Sequence, residues 1–234
     1  MPDANPRLIQ MLSDVANALG NELRSRMVFV GGATTGLFVT DDFTREQVRL
    51  TDDVDLIVDI MGQGRWVQLQ GELRQRGFRI SAEDDVTCRM RLGELKVDFM
   101  PDDANILGFT NRWYARGIET SVEHLLAPEL PIKILTPALF VATKLEAYLG
   151  RGNQDPMTSN DLEDIIILLD GRRELTSEIM EAEADIRGYI AFQFEMLRAN
   201  EQFVATVESN VRGDADRAKL VFERMTQACK IAEA

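Results

Sequence analysis

The sequence has few of the residues on which several common kinds of protein chemistry depend. It contains one histidine, His124, and two cysteines, Cys88 and Cys229, in 234 residues. A single histidine excludes histidine-rich zinc sites and disfavours a Ser-His-Asp mechanism. The two cysteines match neither a disulfide framework nor a paired-cysteine metal site. Carboxylates must therefore carry most of any metal chemistry.

Basic residues and long apolar segments are also scarce. Lys and Arg number 26 against 39 Asp and Glu, a formal net charge of −13. This balance disfavours non-specific nucleic-acid binding, although a local basic cleft stays compatible with it. No apolar run approaches the roughly 20 residues of a membrane span, and the start MPDANPRLIQ lacks the order of a signal peptide. We therefore expect a cytoplasmic protein with no membrane partner.

A strand, a glycine turn and the start of a helix are predicted together between residues 27 and 38. The run MVFV favours a strand, and Gly31 and Gly32 follow it directly. Such a glycine pair is most often only a turn. In front of a helix, however, its backbone N–H groups and the positive end of the helix dipole can bind phosphate.

Three aspartates on predicted strands form a candidate metal site. Asp53 and Asp55 stand at the start of the strand 54–58, and side chains two residues apart on a strand point to the same face. Two carboxylates placed in this way repel each other unless a cation such as Mg²⁺ lies between them. The strand 94–100 alternates in the same period, which makes Asp98 the third candidate carboxylate.

The other segments are mostly predicted to be helical. An amphipathic helix begins the chain and ends near Gly20, the segment 40–45 is predicted to be a polar loop, and Gly93 is predicted to turn a hairpin. Helices are predicted to follow the N-cap residues Thr136 and Ser159. Three further segments are predicted to be helical: 174–183, 185–208 and 214–232.

These elements predict an α/β (α+β) fold. We expect a mixed sheet between about residues 25 and 110, flanked by helices, in a core domain formed by residues 1–130. Residues 131–234 are predicted to form a helical C-terminal domain.

The order of these residues resembles the nucleotidyltransferase superfamily related to DNA polymerase β. The motifs that carry this resemblance are Gly31-Gly32, Arg49-x-Thr51-x-Asp53-Val54-Asp55-Leu56 and Lys96-Val97-Asp98. A later part of the chain resembles the AbiEii-type branch, which includes toxins of bacterial toxin–antitoxin systems. The matching motifs there are Lys144-Leu145-Glu146-Ala147, Arg151 and Asp161-Leu162-Glu163-Asp164.

The resemblance implies a minimal nucleotidyltransferase fold and a Mg²⁺-dependent enzyme. Such an enzyme transfers a nucleotidyl group from a nucleoside triphosphate to an acceptor hydroxyl, with a two-metal site. Asp53, Asp55 and Asp98 would hold the metal ions. The residues that would contact the nucleotide are Gly31, Gly32, Thr34, Arg49, Lys144 and Arg151. Thr34 is included because Ala33 stands where the family usually has a small hydroxyl residue.

The AbiEii-type motif also implies catalytic roles for three residues beyond the sheet. Lys144 would contact the phosphates as a point charge, and Asp161 would orient Lys144 or the acceptor. Asp164 belongs to the same motif. A lysine on a helix is usually exposed, so we expect Lys144→Ala to leave the fold intact. The ordinary interpretation of Asp161 is a carboxylate that complements the helix dipole, and that of Asp164 is a surface charge.

The acceptor and the biological role stay open. The acceptor hydroxyl could belong to tRNA, another RNA, a protein or a small molecule, and a toxin would have a cognate antitoxin protein as its partner. One alternative is a small-molecule nucleotidyltransferase of the aminoglycoside-modifying type. The other is a non-catalytic binding or regulatory module on the same fold.

Overall fold

The structure, a computed structural model, describes residues 5–151 and 154–230. It has mixed α/β architecture, with six strands in one sheet and helices beside it. The strands are β1 (Met27–Val30), β2 (Asp53–Val58), β3 (Arg89–Leu92), β4 (Leu95–Pro101), β5 (Val122–Ala127) and β6 (Leu130–Ile134). The first helices are α1 (Pro6–Arg24), α2 (Thr35–Phe38), α3 (Asp42–Arg45), α4 (Gln63–Gln75), α5 (Ala104–Leu107) and α6 (Tyr114–Glu119). The later helices are α7 (Pro137–Gly150), α8 (Asn160–Gly171), α9 (Leu175–Glu181), α10 (Ala184–Arg198), α11 (Glu201–Asn210) and α12 (Ala215–Cys229).

The described chain divides into two compact units. The sheet unit comprises residues 5–34 and 49–136, and the helical unit comprises residues 35–48 and 137–230. The predicted division into two domains, with a boundary between residues 130 and 131, stays a prediction. Among the described residues, no helix combines the length and apolar character needed to span a membrane.

The order of strands in the sheet is β3-β4-β2-β1-β6-β5. Strand β2 runs antiparallel to β1 and parallel to β4, and the register of the parallel pair places Asp55 opposite Asp98. The apolar residues next to the aspartates along the two strands, Val54, Val97 and Phe99, are fully buried. The period of two therefore sorts these strands as predicted, with apolar side chains in the core and aspartates on the other face.

The predicted extent of the sheet is wrong at its C-terminal side. The sheet continues past residue 110, because β6 pairs in parallel with β1 and β5 pairs with β6. Strand β5 is an edge strand whose residues are mostly exposed, and its register shifts between Leu125 and Ala127. It therefore lacks the apolar and polar alternation by which strands are predicted from sequence.

The predicted loop at residues 40–45 is also wrong, because residues 42–45 form the short helix α3. Its N-cap is Asp41, whose carboxylate accepts a hydrogen bond from the backbone N–H of Thr44 at 2.9 Å. The hydroxyl of Thr44 donates to Asp170 Oδ2 at 2.7 Å. This short polar helix thus depends on a contact with a residue 126 positions away in the sequence.

The N-cap predicted at Ser159 is confirmed, since its hydroxyl accepts a hydrogen bond from the backbone N–H of Leu162. Helix α1 continues to Arg24, with a kink at Gly20, where φ is 66°. The predicted helix 185–208 is two helices, and Asn200 caps the second of them. The end of the helix predicted at 214–232, residues 231 and 232, lies outside the described residues.

Candidate functional site

The three aspartates predicted to bind metal meet on one face of the sheet. One carboxylate oxygen from each of Asp53, Asp55 and Asp98 lies within 4.8 Å of the others. The side chain of Asp53 is 28% exposed and that of Asp98 is 11% exposed. The cluster is therefore partly shielded and still open to solvent.

The first glycine of the pair is required by the position of Asp55. Gly31 has φ +72°, a conformation that L-residues rarely adopt, and a Cβ on it would overlap Oδ2 of Asp55. A Cβ on Gly32 would lie 2.5 Å from Nη2 of Arg49. The pair thus lets the Asp55 carboxylate and the Arg49 guanidinium approach the backbone of the turn.

Thr34 lies at the end of this turn, in the 3₁₀ segment Gly32–Thr34. It is fully buried, and its hydroxyl donates a hydrogen bond to the carbonyl of Gly31 at 2.9 Å. In this geometry the hydroxyl closes the turn. Its predicted contact with phosphate stays a prediction.

Arg89 is part of the cluster and was not among the predicted site residues. Its guanidinium binds both carboxylate oxygens of Asp98, with Nε 2.7 Å from Oδ1 and Nη2 2.8 Å from Oδ2. The same Nη2 lies 3.4 Å from Asp53 Oδ2. The hydrogen bond to Asp98 raises the pKa of Arg89, so the residue is a permanent cation among the carboxylates. The sequence contains the signal for it, because a hairpin turning at Gly93 places Arg89 directly across from Asp98.

Neighbouring side chains respond to the negative charge of the aspartate cluster through hydrogen bonds, an ion pair and a raised thiol pKa. Thr51 donates its hydroxyl to Asp53, and Lys96 binds Asp52 at 2.7 Å. Burial, together with the negative charges of Asp98 and Asp55, raises the pKa of the Cys88 thiol to about 12. Cys88 is therefore a protonated, buried thiol at neutral pH and not a nucleophile.

The residues of the AbiEii-type motif form a second cluster, inside the helical unit. Lys144 on α7 binds two aspartates on α8, with Nζ 3.2 Å from Asp161 Oδ1 and 2.6 Å from Asp164 Oδ2. Arg151, which is mostly exposed, has its Nε 3.2 Å from Asp161 Oδ2. The sequence order of the motif thus corresponds to a real contact between two helices.

The burial of this second cluster corrects two expectations. The side chain of Lys144 is only 9% exposed and those of Asp161 and Asp164 are 2% and 1% exposed. Lys144 is therefore not a surface lysine, and Asp164 is not a surface charge. Removing one partner of a buried ion pair leaves an uncompensated buried charge, so Lys144→Ala is expected to destabilise the fold strongly.

The structure thus brings the predicted site residues together in two groups, one in each unit. The sheet group fits a hard divalent cation, because three carboxylate oxygens are the donors that Mg²⁺ prefers, at about 2.1 Å each. Oxygens bound to one ion lie within about 4 Å of each other. Because the three carboxylate oxygens already lie within 4.8 Å of one another, small side-chain rotations would bring them to one ion. Comparisons of this chain with protein-family models and with curated proteins give no match. Function is therefore inferred from the residues and their geometry.

Proposed function

We propose that the protein is a Mg²⁺-dependent nucleotidyltransferase with a minimal nucleotidyltransferase sheet. The observation that carries this proposal is the convergence of Asp53, Asp55 and Asp98 on one sheet face. A glycine turn lies directly beside them, with Gly31 packed against the Asp55 carboxylate. A carboxylate cluster beside a glycine turn unites a cation site with a phosphate site, as a metal-bound nucleoside triphosphate requires.

Each residue of the sheet group has a role in this proposal. Asp53, Asp55 and Asp98 would hold the divalent cation, which would supply charge neutralisation at the α-phosphate and lower the pKa of the attacking hydroxyl. The backbone N–H groups of Gly31 and Gly32 would bind the phosphates. Arg49, whose guanidinium lies against Gly32, adds a positive charge beside the same turn.

The roles predicted for the helical group stay predictions. Arg151 is mostly exposed and lies against Asp161, and its predicted contact with the nucleotide is one of them. Lys144 is held by Asp161 and Asp164, so its first role is to neutralise that buried pair. Its contact with phosphate, like the role of Asp161 toward the acceptor, stays a prediction.

A transfer assay tests the proposal. The protein is incubated with Mg²⁺ and each of the four labelled nucleoside triphosphates, with either total tRNA or a panel of amino sugars as the acceptor. Label should appear on one acceptor class with the wild type and should be lost with Asp55→Asn. Asp59→Asn is the matched control, because Asp59 is an exposed carboxylate just beyond β2. It should transfer like the wild type.

The acceptor that becomes labelled separates the possibilities. Label on tRNA fits an RNA-modifying toxin, and expression of that protein should arrest bacterial growth in a manner that depends on Asp55. Label on an amino sugar identifies a small-molecule nucleotidyltransferase. Nucleotide binding without transfer to any acceptor would contradict the enzyme and favour a binding module. Transfer by folded Asp55→Asn at the wild-type rate would contradict the role of the aspartate cluster.

A further inference from the structure

We propose that Arg89 competes with the divalent cation for the aspartate cluster, so that binding of the cation releases the guanidinium from Asp98. This inference rests on the proposed function of the cluster as a metal site. It assigns to Arg89 the role of a positioning residue that sets the affinity of the site for its cation.

The hydrogen bonds of Arg89 are the reason for the proposal. The guanidinium uses Nε and Nη2 to bind both oxygens of Asp98, at 2.7 and 2.8 Å, and Nη2 also approaches Asp53 Oδ2 at 3.4 Å. These are two of the three carboxylates whose oxygens lie within 4.8 Å of one another. Arg89 thus neutralises the same groups that would ligate a cation.

The geometry at Asp98 disfavours simultaneous binding of the Arg89 guanidinium and a metal ion to this carboxylate. A planar guanidinium that binds a carboxylate through two parallel N–H groups occupies one of the two lone pairs on each carboxylate oxygen. A metal ion coordinating Asp98 uses the same oxygens, and it would also repel the positive guanidinium at short range. Because this repulsion acts at short range, we expect the cation to displace at least one of the Arg89 hydrogen bonds.

The hairpin that carries Arg89 also provides a matched control. Arg91, on the same strand, binds Asp84 in the same bidentate manner, with Nε 2.7 Å from Oδ2 and Nη2 2.9 Å from Oδ1. Asp84 is not a member of the aspartate cluster. Arg89→Gln and Arg91→Gln therefore remove the same charge and the same type of ion pair, and only the first does so at the cluster.

The first experiment measures binding of Mn²⁺, without nucleotide, from the electron paramagnetic resonance signal of the free ion. Arg89→Gln should lower the dissociation constant for Mn²⁺ at least about tenfold, because a bidentate charge-assisted pair no longer has to be given up. Arg91→Gln should stay within about threefold of the wild type, since Arg91 pairs with Asp84 and with none of the three clustered aspartates. Adding Asp55→Asn to Arg89→Gln should abolish the binding.

Each outcome of this titration decides a different claim. If Arg89→Gln binds Mn²⁺ with the wild-type affinity or more weakly, the competition is overturned while the proposed metal site stands. If neither the wild type nor Arg89→Gln binds Mn²⁺, the metal site and the competition both fail. An equal gain in Arg89→Gln and Arg91→Gln would show that only net charge matters, and would also overturn the specific role of Arg89.

A second experiment uses the wild type and so does not depend on the folding of a variant. The arginine Nε–H signals of ¹⁵N-labelled protein are followed by NMR during a Mg²⁺ titration and are assigned with Arg89→Lys and Arg91→Lys. The Arg89 signal should move toward the position and rapid exchange of a solvated guanidinium, while the Arg91 signal should stay in place. An Arg89 signal that is unchanged at saturating Mg²⁺ would overturn the competition.

Discussion

Each of the two clusters places two aspartates against one basic residue, but the two clusters differ in their exposure to solvent. In the sheet unit, Asp53 and Asp98 are 28% and 11% exposed and share Arg89. In the helical unit, Asp161 and Asp164 are almost fully buried and share Lys144. A cation from solvent can reach the first cluster, whereas reaching the second would require opening the contact between two helices. Burial, more than residue type, therefore separates the proposed cation site from the internal ion pair.

The difference in burial between the two clusters is tested most strongly by Lys144→Ala. We expect this change to lower the free energy of unfolding of the helical unit by about 3 to 5 kcal/mol, because Asp161 and Asp164 lose their buried partner. Urea denaturation measures the loss. The control Lys219→Ala removes a lysine that is 74% exposed and should cost less than about 1 kcal/mol. Equal effects of the two changes would show that Lys144 is not a buried ion-pair partner.

Gly31→Ala tests how closely the sheet cluster is packed. The positive φ costs about 1 kcal/mol and the overlap of the new methyl group with Asp55 about 2 kcal/mol more, giving a loss of about 3 kcal/mol. Gly93→Ala is the control, because Gly93 has φ +61° and no other group lies within 4 Å of the place that a Cβ on it would take. Denaturant midpoints of both variants separate the two costs. A Gly31 variant no worse than the Gly93 variant would mean that Asp55 can move aside.

Cation binding should stabilise the sheet unit through Asp55. Mg²⁺ with the correct nucleotide, at about a hundredfold excess over the dissociation constant, should stabilise the wild type by about 2.7 kcal/mol. Asp55→Asn should gain much less, because it lacks one of the three carboxylates. Thermal melts with and without ligand measure both gains. Shifts of the same size in the two proteins would exclude Asp55 from the site.

The smallest expected effect is a pH dependence that belongs to the sheet unit alone. Burial lowers the pKa of His124, the only histidine, which lies on β5. As the pH falls below the ordinary value of about 6.5, the unfolded chain takes up a proton more readily than the folded protein, and stability is lost down to the folded pKa. The NMR titration of its ring should have a midpoint below 6.5, and His124→Asn should flatten stability between pH 7.5 and 5.5. A midpoint above 6.5 would contradict the lowered pKa.

Sequence patterns predicted well those elements whose signals are local. The strand Met27–Val30, the helix N-cap at Ser159 and the hairpin at Gly93 each depend on residues within a few positions of one another. The helix α3 was missed because it depends on a hydrogen bond from Thr44 to the distant Asp170. The edge strand β5 was missed because both of its faces are partly exposed.

For the candidate site, the sequence predicted which residues meet within each unit. It did not predict the ion-pair partner of Asp98 or the burial of Lys144. Period-two alternation was sufficient to place Asp55 and Asp98 on one face. It did not reveal Arg89, because a cross-strand partner is found only by counting register back from the turn. The burial of Lys144 was missed because α7 is buried on most of its surface, so no polar face marks which side of the helix meets solvent.

The division of the chain has a consequence for how the protein folds during synthesis. Residues 35–48 belong to the helical unit, yet their partners begin only at residue 137. The carbonyl of Gly171, which accepts from the hydroxyl of Thr40, is made 131 residues later. At translation rates of about 5 to 20 residues per second, these 131 residues take roughly 7 to 26 seconds to be made, and the contact of Thr40 can form only after that time. The segment 35–48 is thus made well before the residues of the helical unit with which it packs.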